Sequence, residues 1–276
     1  MDEQILKRSI PSSNEKLPAI GLGTWQTFDA GENEAEREPL LQVLQTLVGK
    51  GGSVVDSSPM YGSSEKVVGD LSTQLNLNEK LFVATKVWTS GEQAGIRQMN
   101  DSFKYLKRKR IDLMQIHNLL DWQTHIKTLR EWKEQNKIRY IGITHYTESA
   151  FGSIAQILKT TPVDFLQINY SLLSRRAEET LFPLAQEKKV AIIINQPFES
   201  GALFTRVKGN SLPPWAGEFD CKSWGQFFLK FILAHPAVTC VIPGTSKPHH
   251  MLDNMGAAFG KLPTAGHLKQ MIDTVG

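Results

Sequence analysis

Four residues in this chain are of types, and at places, that could move a proton: Asp56, Tyr61, Lys86 and His117. Asp56 follows Val54-Val55, which read as the end of a short buried strand. Tyr61 comes after the turn Ser57-Ser58-Pro59, near Asp56 in space as well as in sequence. Lys86 ends the run Leu81-Phe-Val-Ala-Thr, and His117 ends Asp112-Leu-Met-Gln-Ile. Burying such groups at the end of an apolar strand is expensive without partners. Taken singly, each has a plain alternative. Lys86 can lay its stem on apolar surface and keep its ammonium in water, Asp56 can cap the next helix, and His117 can be a satisfied core histidine. Convergence on one rim would decide against all of these.

Together the four groups suit the protonation of an oxyanion as it forms. A phenol titrates near ~10 and is a poor acid at neutral pH. A lysine cation beside it favours the phenolate and makes the proton easier to give up. Asp56 would hold Lys86 charged and in place, and His117 would orient a carbonyl oxygen or share the proton relay. The set contains no obvious nucleophile, and a reduction would need an electron source that the protein lacks.

The elements that must position these groups alternate along the chain. Strands are expected at Ile20–Thr24, Val54–Asp56, Leu81–Lys86, Asp112–His117, Tyr140–Thr144, Phe165–Asn169, Ala191–Asn195 and Val238–Ile242. Helical spacing marks Glu36–Lys50, Ser63–Leu75, Glu92–Leu106, Trp122–Gln135, Glu148–Leu158, Ala177–Lys188, Ser223–Ala234 and Pro248–Met255, with a last helix at Thr264–Val275. A hairpin is expected between Lys7 and Ile20 around the turn Pro11-Ser12-Ser13-Asn14-Glu15, plugging one end. Eight strand–helix pairs predict parallel strands closed into a (β/α)8 TIM barrel, one domain over residues 1–276, with functional groups at the strands' C-terminal rim. An open doubly wound sheet is the competing architecture. It would want a glycine-rich phosphate loop after its first strand, and Gly21-Leu-Gly-Thr-Trp-Gln lacks the third glycine.

Composition narrows the partners. A net charge of +3 over 276 residues is too small to argue for nucleic acid or a membrane surface. The run Lys107-Arg108-Lys109-Arg110 reads as cations at a helix end. No apolar run is long enough to span a bilayer, and Met1-Asp2-Glu3-Gln4 lacks the layout of a signal peptide. Cys221 and Cys240 are the two cysteines, without metal-ligand spacing or a disulfide framework. A cytoplasmic protein that binds no metal is expected.

The motif Asp56-x4-Tyr61-Gly62, with Lys86 ending the third strand and His117 the fourth, resembles the catalytic tetrad of the aldo-keto reductase family. The likeness extends over nearly the whole chain, through Gly21-Leu-Gly-Thr-Trp25, Ile141-Gly-Ile-Thr-His-Tyr146, Gln167-Ile-Asn-Tyr170 and Ile242-Pro-Gly-Thr-Ser246. It implies reduction of a small-molecule aldehyde or ketone by a nicotinamide cofactor lying extended across the rim, with Tyr61 protonating the oxygen. By the family pattern the cofactor would run past Thr24 and Trp25. Its carboxamide would meet Thr144, His145 and Gln167, and Asn195 would stand beside the nicotinamide. The pyrophosphate would lie along Pro197, Ser200 and Leu203, and the adenosine end along Thr245, Ser246, Lys247, His250, Asp253 and Asn254. Trp25, Trp88 and Asn118 would meet the substrate, within walls that include Phe28, Met60, Phe204 and Trp215. Members of the family are often monomers, and a monomer is expected.

The chain departs from that pattern in places. Asn195 stands where relatives commonly carry an aromatic that stacks on the nicotinamide, and Thr144-His145 replaces a Ser-Asn pair. Asn118 stands where well-known relatives carry Trp, the loop to Asp121 is short, and little chain follows the last helix, so an open pocket is expected. Relatives grip the cofactor's 2′-phosphate with a lysine and an arginine at the positions of Gly244 and His250. Here Thr245, Ser246 and Lys247, before a helix opened by Pro248, offer two hydroxyls, a cation and free backbone amides, which predicts NADPH with NADH possible. Two other functions compete: a Schiff-base aldolase using Lys86, disfavoured because a carboxylate partner keeps the lysine protonated, and a reductase-like subunit that senses cofactor redox state with slow turnover. A metal-dependent hydrolase fails earlier, because no strand carries His-x-His.

Overall fold

The structure, a computed structural model, describes residues 4–276. Residues 1–3, part of the stretch considered as a signal peptide, lie outside the described residues. Two short strands, β1 (Lys7–Ser9) and β2 (Lys16–Pro18), pair antiparallel as the expected hairpin. Eight parallel strands follow: β3 (Leu22–Gly23), β4 (Val54–Asp56), β5 (Phe82–Val87), β6 (Ile111–His117), β7 (Ile138–Thr144), β8 (Phe165–Asn169), β9 (Ala191–Asn195) and β10 (Val238–Val241). Each pairs with its neighbours in chain order, and bridges Ile20↔Val241 and Gly23↔Gly244 join the last strand to the first. Gly23 permits this closure, since a Cβ there would sit 2.7 Å from the Ile242 carbonyl oxygen.

Around the barrel run α1 (Glu34–Gly49), α2 (Ser64–Gln74), α3 (Glu92–Tyr105), α4 (Trp122–Glu134), α5 (Phe151–Thr160), α6 (Leu181–Glu187), α7 (Ala202–Arg206), α8 (Trp224–Ala234), α9 (Pro248–Gly256) and α10 (Ala265–Val275). The helix expected from Ala177 is divided into a 3-10 turn, Arg176–Glu178, and α6. Pro183 accounts for the break: in a continuous helix its ring would collide with the carbonyl four residues earlier. The long connection after Asn195 is not bare loop. It carries a 3-10 turn at Glu199–Gly201, then α7, then another turn at Pro214–Phe219.

The period of two along each strand sorts residues to opposite sides of the barrel wall. Val55, Val83, Met114, Ile116, Ile141, Ile143, Leu166 and Ile192 join the layer between strands and helices. Val54, Phe82, Ala84, Leu113, Tyr140, Phe165, Ala191, Ile193 and Cys240 fill the interior, with Ile10 and Leu17 of the hairpin region closing its floor. The same alternation, continued toward the strands' C-terminal ends, places Asp56, Lys86, Gln115, His117, Gln167 and Asn195 above that apolar filling. The hairpin is pinned beneath by Glu15, which accepts from the Tyr140 hydroxyl at 2.6 Å and pairs with Arg139. The basic run beyond α3 is held by cross-element ion pairs as well, Lys107 to Asp70 at 2.6 Å and Arg108 to Asp112 at 3.0 Å.

Candidate active site

Asp56, Lys86 and His117 come from three consecutive strands, so the barrel brings their side chains together. Lys86 is 0% exposed, and its ammonium donates to Asp56 Oδ2 and to the Ser57 carbonyl, each at 2.6 Å. The other carboxylate oxygen of Asp56 accepts from Gln115 Nε2 at 3.0 Å and Gln167 Nε2 at 2.8 Å. A carboxylate held on one oxygen by a cation and on the other by two amide donors cannot rotate freely. Asp56 therefore belongs to the interior of the barrel and not to a helix cap. Burial works against the charge on Lys86, but Asp56 and Tyr61 more than offset it, and the lysine titrates above its ordinary value.

Tyr61 hangs from the turn between β4 and α2. The Lys86 ammonium lies 4.9 Å from the centre of its ring. Gly62, at φ +60, follows at once, and a Cβ there would collide with the Asp29 carboxylate, which accepts from Ser63 N and Oγ. Only glycine fits that corner, and the corner is what turns Tyr61 back over the barrel mouth. Lys86 has the expected effect on Tyr61, but it is not the largest one. Burial raises the phenol above its ordinary pKa and outweighs Lys86, which lowers it only in part. Tyr61 is thus held in its protonated form, ready to donate.

The His117 ring stands edge-on to Tyr61, centroids 5.8 Å apart at 83°, and its Nδ1 lies 3.1 Å from Ser58 Oγ. Burial, then the charge of Lys86, pushes the imidazole down to about 3, so His117 is neutral across the ordinary pH range. After it the chain turns sharply through left-handed Asn118, Leu119 and Asp121, and Asp121 accepts from Gly91 N and Thr124 Oγ1.

These groups open into a cleft of about 640 Å³. Of the residues expected to meet cofactor or substrate, Thr24, Trp25, Asn118, Thr144, Gln167, Asn195, Pro197 and Ser200 line it. Thr24 donates to the Asp56 carbonyl, and Thr144 donates to Gln167 Oε1 at 3.2 Å. Asn195 donates to the His145 carbonyl at 3.1 Å, while its own Oδ1 is buried without a partner. His145 stacks flat on the exposed Tyr146. Leu203 is wholly in the core, which leaves only its backbone for the pocket side. Thr245, Ser246, Lys247, His250, Asp253 and Asn254 lie beyond the cleft at the start of and along α9. Asp253 accepts from Ser223 Oγ at 2.6 Å and Gln226 Nε2 at 2.9 Å, so both its oxygens tie α9 to α8.

The apolar wall consists of Trp25, Met60 and Phe204, as expected, together with Tyr146 and Phe198. Phe28 is not part of it. The turn closed by Phe28 N donating to the Thr24 carbonyl carries that ring fully into the core. Trp215 packs on Phe227 and His267 instead, and Trp88 stands exposed beside His117 at 6.3 Å. Sequence reasoning passed over Gln115 and Ser58. Counting by twos back from His117 finds Gln115 on the interior face, but Ser58 gave no signal, because only the fold brings it under the imidazole.

The chain and its fold also match known proteins. The model of the aldo/keto reductase family matches residues 19–267. The chain is 26% identical to methylglyoxal reductase YeaE of Escherichia coli, over 92% of this chain and 90% of that protein. It is also 26% identical to an NADH-specific methylglyoxal reductase of the same organism, over 76% and 72%. Among solved structures, an aldo-keto reductase from Klebsiella pneumoniae in complex with NADPH superposes with a TM-score of 0.79 at 22% identity, covering 100% of this chain and 96% of that one.

Proposed function

The chain belongs to the aldo/keto reductase family, and on that premise we propose that it reduces aldehydes or ketones to alcohols, with NADPH as the preferred reductant and NADH as a possible one. The observation that carries this reading is the buried Lys86–Asp56 pair set against Tyr61, with neutral His117 on the same cleft. The residues present fit a nicotinamide. Asn195 Oδ1 is a buried acceptor without a partner at the cleft wall, and a carboxamide N–H would satisfy it. Thr24, Trp25, Thr144, His145 and Gln167 would hold the nicotinamide end, and Pro197, Ser200 and the Leu203 backbone the pyrophosphate. Thr245, Ser246 and Lys247, with the first amides of α9, would hold the 2′-phosphate, while His250, Asp253 and Asn254 would flank the adenosine.

The cofactor, when bound, supplies a hydride to the carbonyl carbon. The chain's own groups handle the oxygen. His117 hydrogen-bonds the carbonyl oxygen and fixes its direction, and Tyr61 gives its proton as negative charge develops there. Lys86 stabilises the phenolate left behind, and Asp56 keeps the lysine charged and immobile. Two commitments of Lys86, to Asp56 and to the Ser57 carbonyl, disfavour a neutral amine and hence a Schiff base.

The exposed Trp25, Met60, Phe204 and Tyr146 at the mouth suit small and medium aldehydes, aromatic ones included. The four catalytic groups and the cleft lie within one chain, so a single-domain monomer can serve as the working unit. Unpaired, buried Cys221 and Cys240 suit a reducing cytoplasm, and no helix among the described residues is long and apolar enough to cross a membrane.

The test is consumption of reduced cofactor against a panel that includes methylglyoxal, the substrate in the names of two relatives, and aromatic aldehydes. Turnover with several panel members supports the reading. Tight cofactor binding without turnover on any of them would favour a redox-sensing subunit instead, and covalent trapping of substrate by borohydride would favour the aldolase.

A further inference from the structure

We infer that Ser58 is a positioning residue that fixes the tautomer of His117, holding the imidazole with its proton on Nε2 so that it presents a donor to the carbonyl oxygen. The inference rests on the proposed reduction for its purpose, but the tautomer itself is a property of the protein alone.

His117 is neutral, so its ring carries one N–H, and which nitrogen bears it decides whether the cleft meets a donor or an acceptor. Nδ1 faces the Ser58 hydroxyl at 3.1 Å, and both residues are buried. Ser58 Oγ also accepts the Met60 backbone N–H at 3.2 Å, in the turn that leads to Tyr61. That bond uses a lone pair and leaves the hydroxyl hydrogen to be placed. Among the described residues, the one acceptor within reach of it is His117 Nδ1. A hydroxyl that donates to Nδ1 requires that nitrogen to be unprotonated, which puts the ring proton on Nε2. Nε2 has no protein partner and is not among the buried unsatisfied atoms, so it opens on the cleft that His117 lines.

The same turn therefore delivers Tyr61 and orients its neighbour. An alanine at 58 would leave Nδ1 facing an apolar methyl. Both tautomers would then be accessible, and the Nδ1–H form would aim a lone pair at the carbonyl oxygen, repelling what Nε2–H attracts.

The experiment is nitrogen-15 NMR of the histidine side chains, with cofactor binding and steady-state reduction measured on wild type, Ser58→Ala and Ser58→Thr. The wild-type His117 should show a protonated Nε2 and a bare Nδ1. Ser58→Ala should show a mixture, with kcat lowered roughly 2- to 13-fold, in the range of one lost hydrogen bond, and cofactor affinity unchanged. Ser58→Thr should restore both the tautomer and most of the rate. A wild-type ring protonated on Nδ1, or a Ser58→Ala ring with its tautomer unaltered, overturns the inference. Absence of carbonyl reduction in the wild type would instead sink the functional reading while the NMR result stands by itself.

Discussion

The Lys86 ammonium lies 2.6 Å from the Asp56 carboxylate, and both side chains are buried. Removing two charges from solvent is costly, and their mutual attraction repays it only when the remaining hydrogen-bonding capacity is filled. Gln115, Gln167 and the Ser57 carbonyl fill it here. The pair is thus better understood as a fixed positive charge beneath Tyr61 than as a contribution to stability.

Breaking the pair from one side should show this. Asp56→Asn leaves Lys86 buried without its anion and should destabilise the protein by about 3–5 kcal/mol, the range for an orphaned buried charge. Urea unfolding of the two proteins measures it. A midpoint equal to that of wild type would mean that Lys86 is neutral or solvated, contrary to the structure.

Neutral, buried His117 makes the fold sensitive to acid. Its folded value of about 3 lies below the ordinary 6.5, so between those values the unfolded chain binds a proton that the folded one refuses. Stability attributable to this group is intact above pH 6.5 and is lost as pH falls toward 3. At pH 4 the loss is on the order of 3 kcal/mol. His117→Gln, which cannot titrate, should lose correspondingly less between pH 7 and pH 4 in denaturant melts. Parallel losses in the two proteins would place the His117 pKa near its normal range.

Lys247 is the cation assigned to the 2′-phosphate. It precedes α9, its N–H donates to Thr245 Oγ1 at 3.0 Å, and its side chain is exposed. A hydrogen bond to a charged group is worth about 1.5–3 kcal/mol, and exposure places this one at the lower end, so Lys247→Met should weaken NADPH roughly 10-fold. NADH affinity should stay as it was. Fluorescence titration of both cofactors into both proteins checks it, and equal loss for the two would remove Lys247 from the phosphate site.

Much of this arrangement was legible from strand ends. Asp56, Lys86 and His117 each interrupt an apolar run, and eight alternations force those interruptions onto one rim. What stayed hidden depends on registers and turns that no local pattern records. Gln115 was unremarkable until β6 was aligned beside β5, where it faces Lys86 in register. Phe28 looked like a pocket wall because its neighbours Thr24 and Trp25 are, yet one backbone turn carries it inward. The net acidity of Tyr61 was not legible for a different reason. The sequence reveals the charge of Lys86 beside the phenol, while the extent of burial that outweighs it emerges only from the packed barrel.

The central claim is that Tyr61 donates the proton in a cofactor-dependent carbonyl reduction. Steady-state consumption of NADPH with an aromatic aldehyde, compared between wild type and Tyr61→Phe with cofactor binding titrated in parallel, tests it most directly. Loss of the general acid should lower turnover about 10²- to 10⁴-fold, while the retained ring keeps cofactor affinity close to that of wild type. A Tyr61→Phe enzyme that binds NADPH and reduces the aldehyde at the wild-type rate would contradict the account.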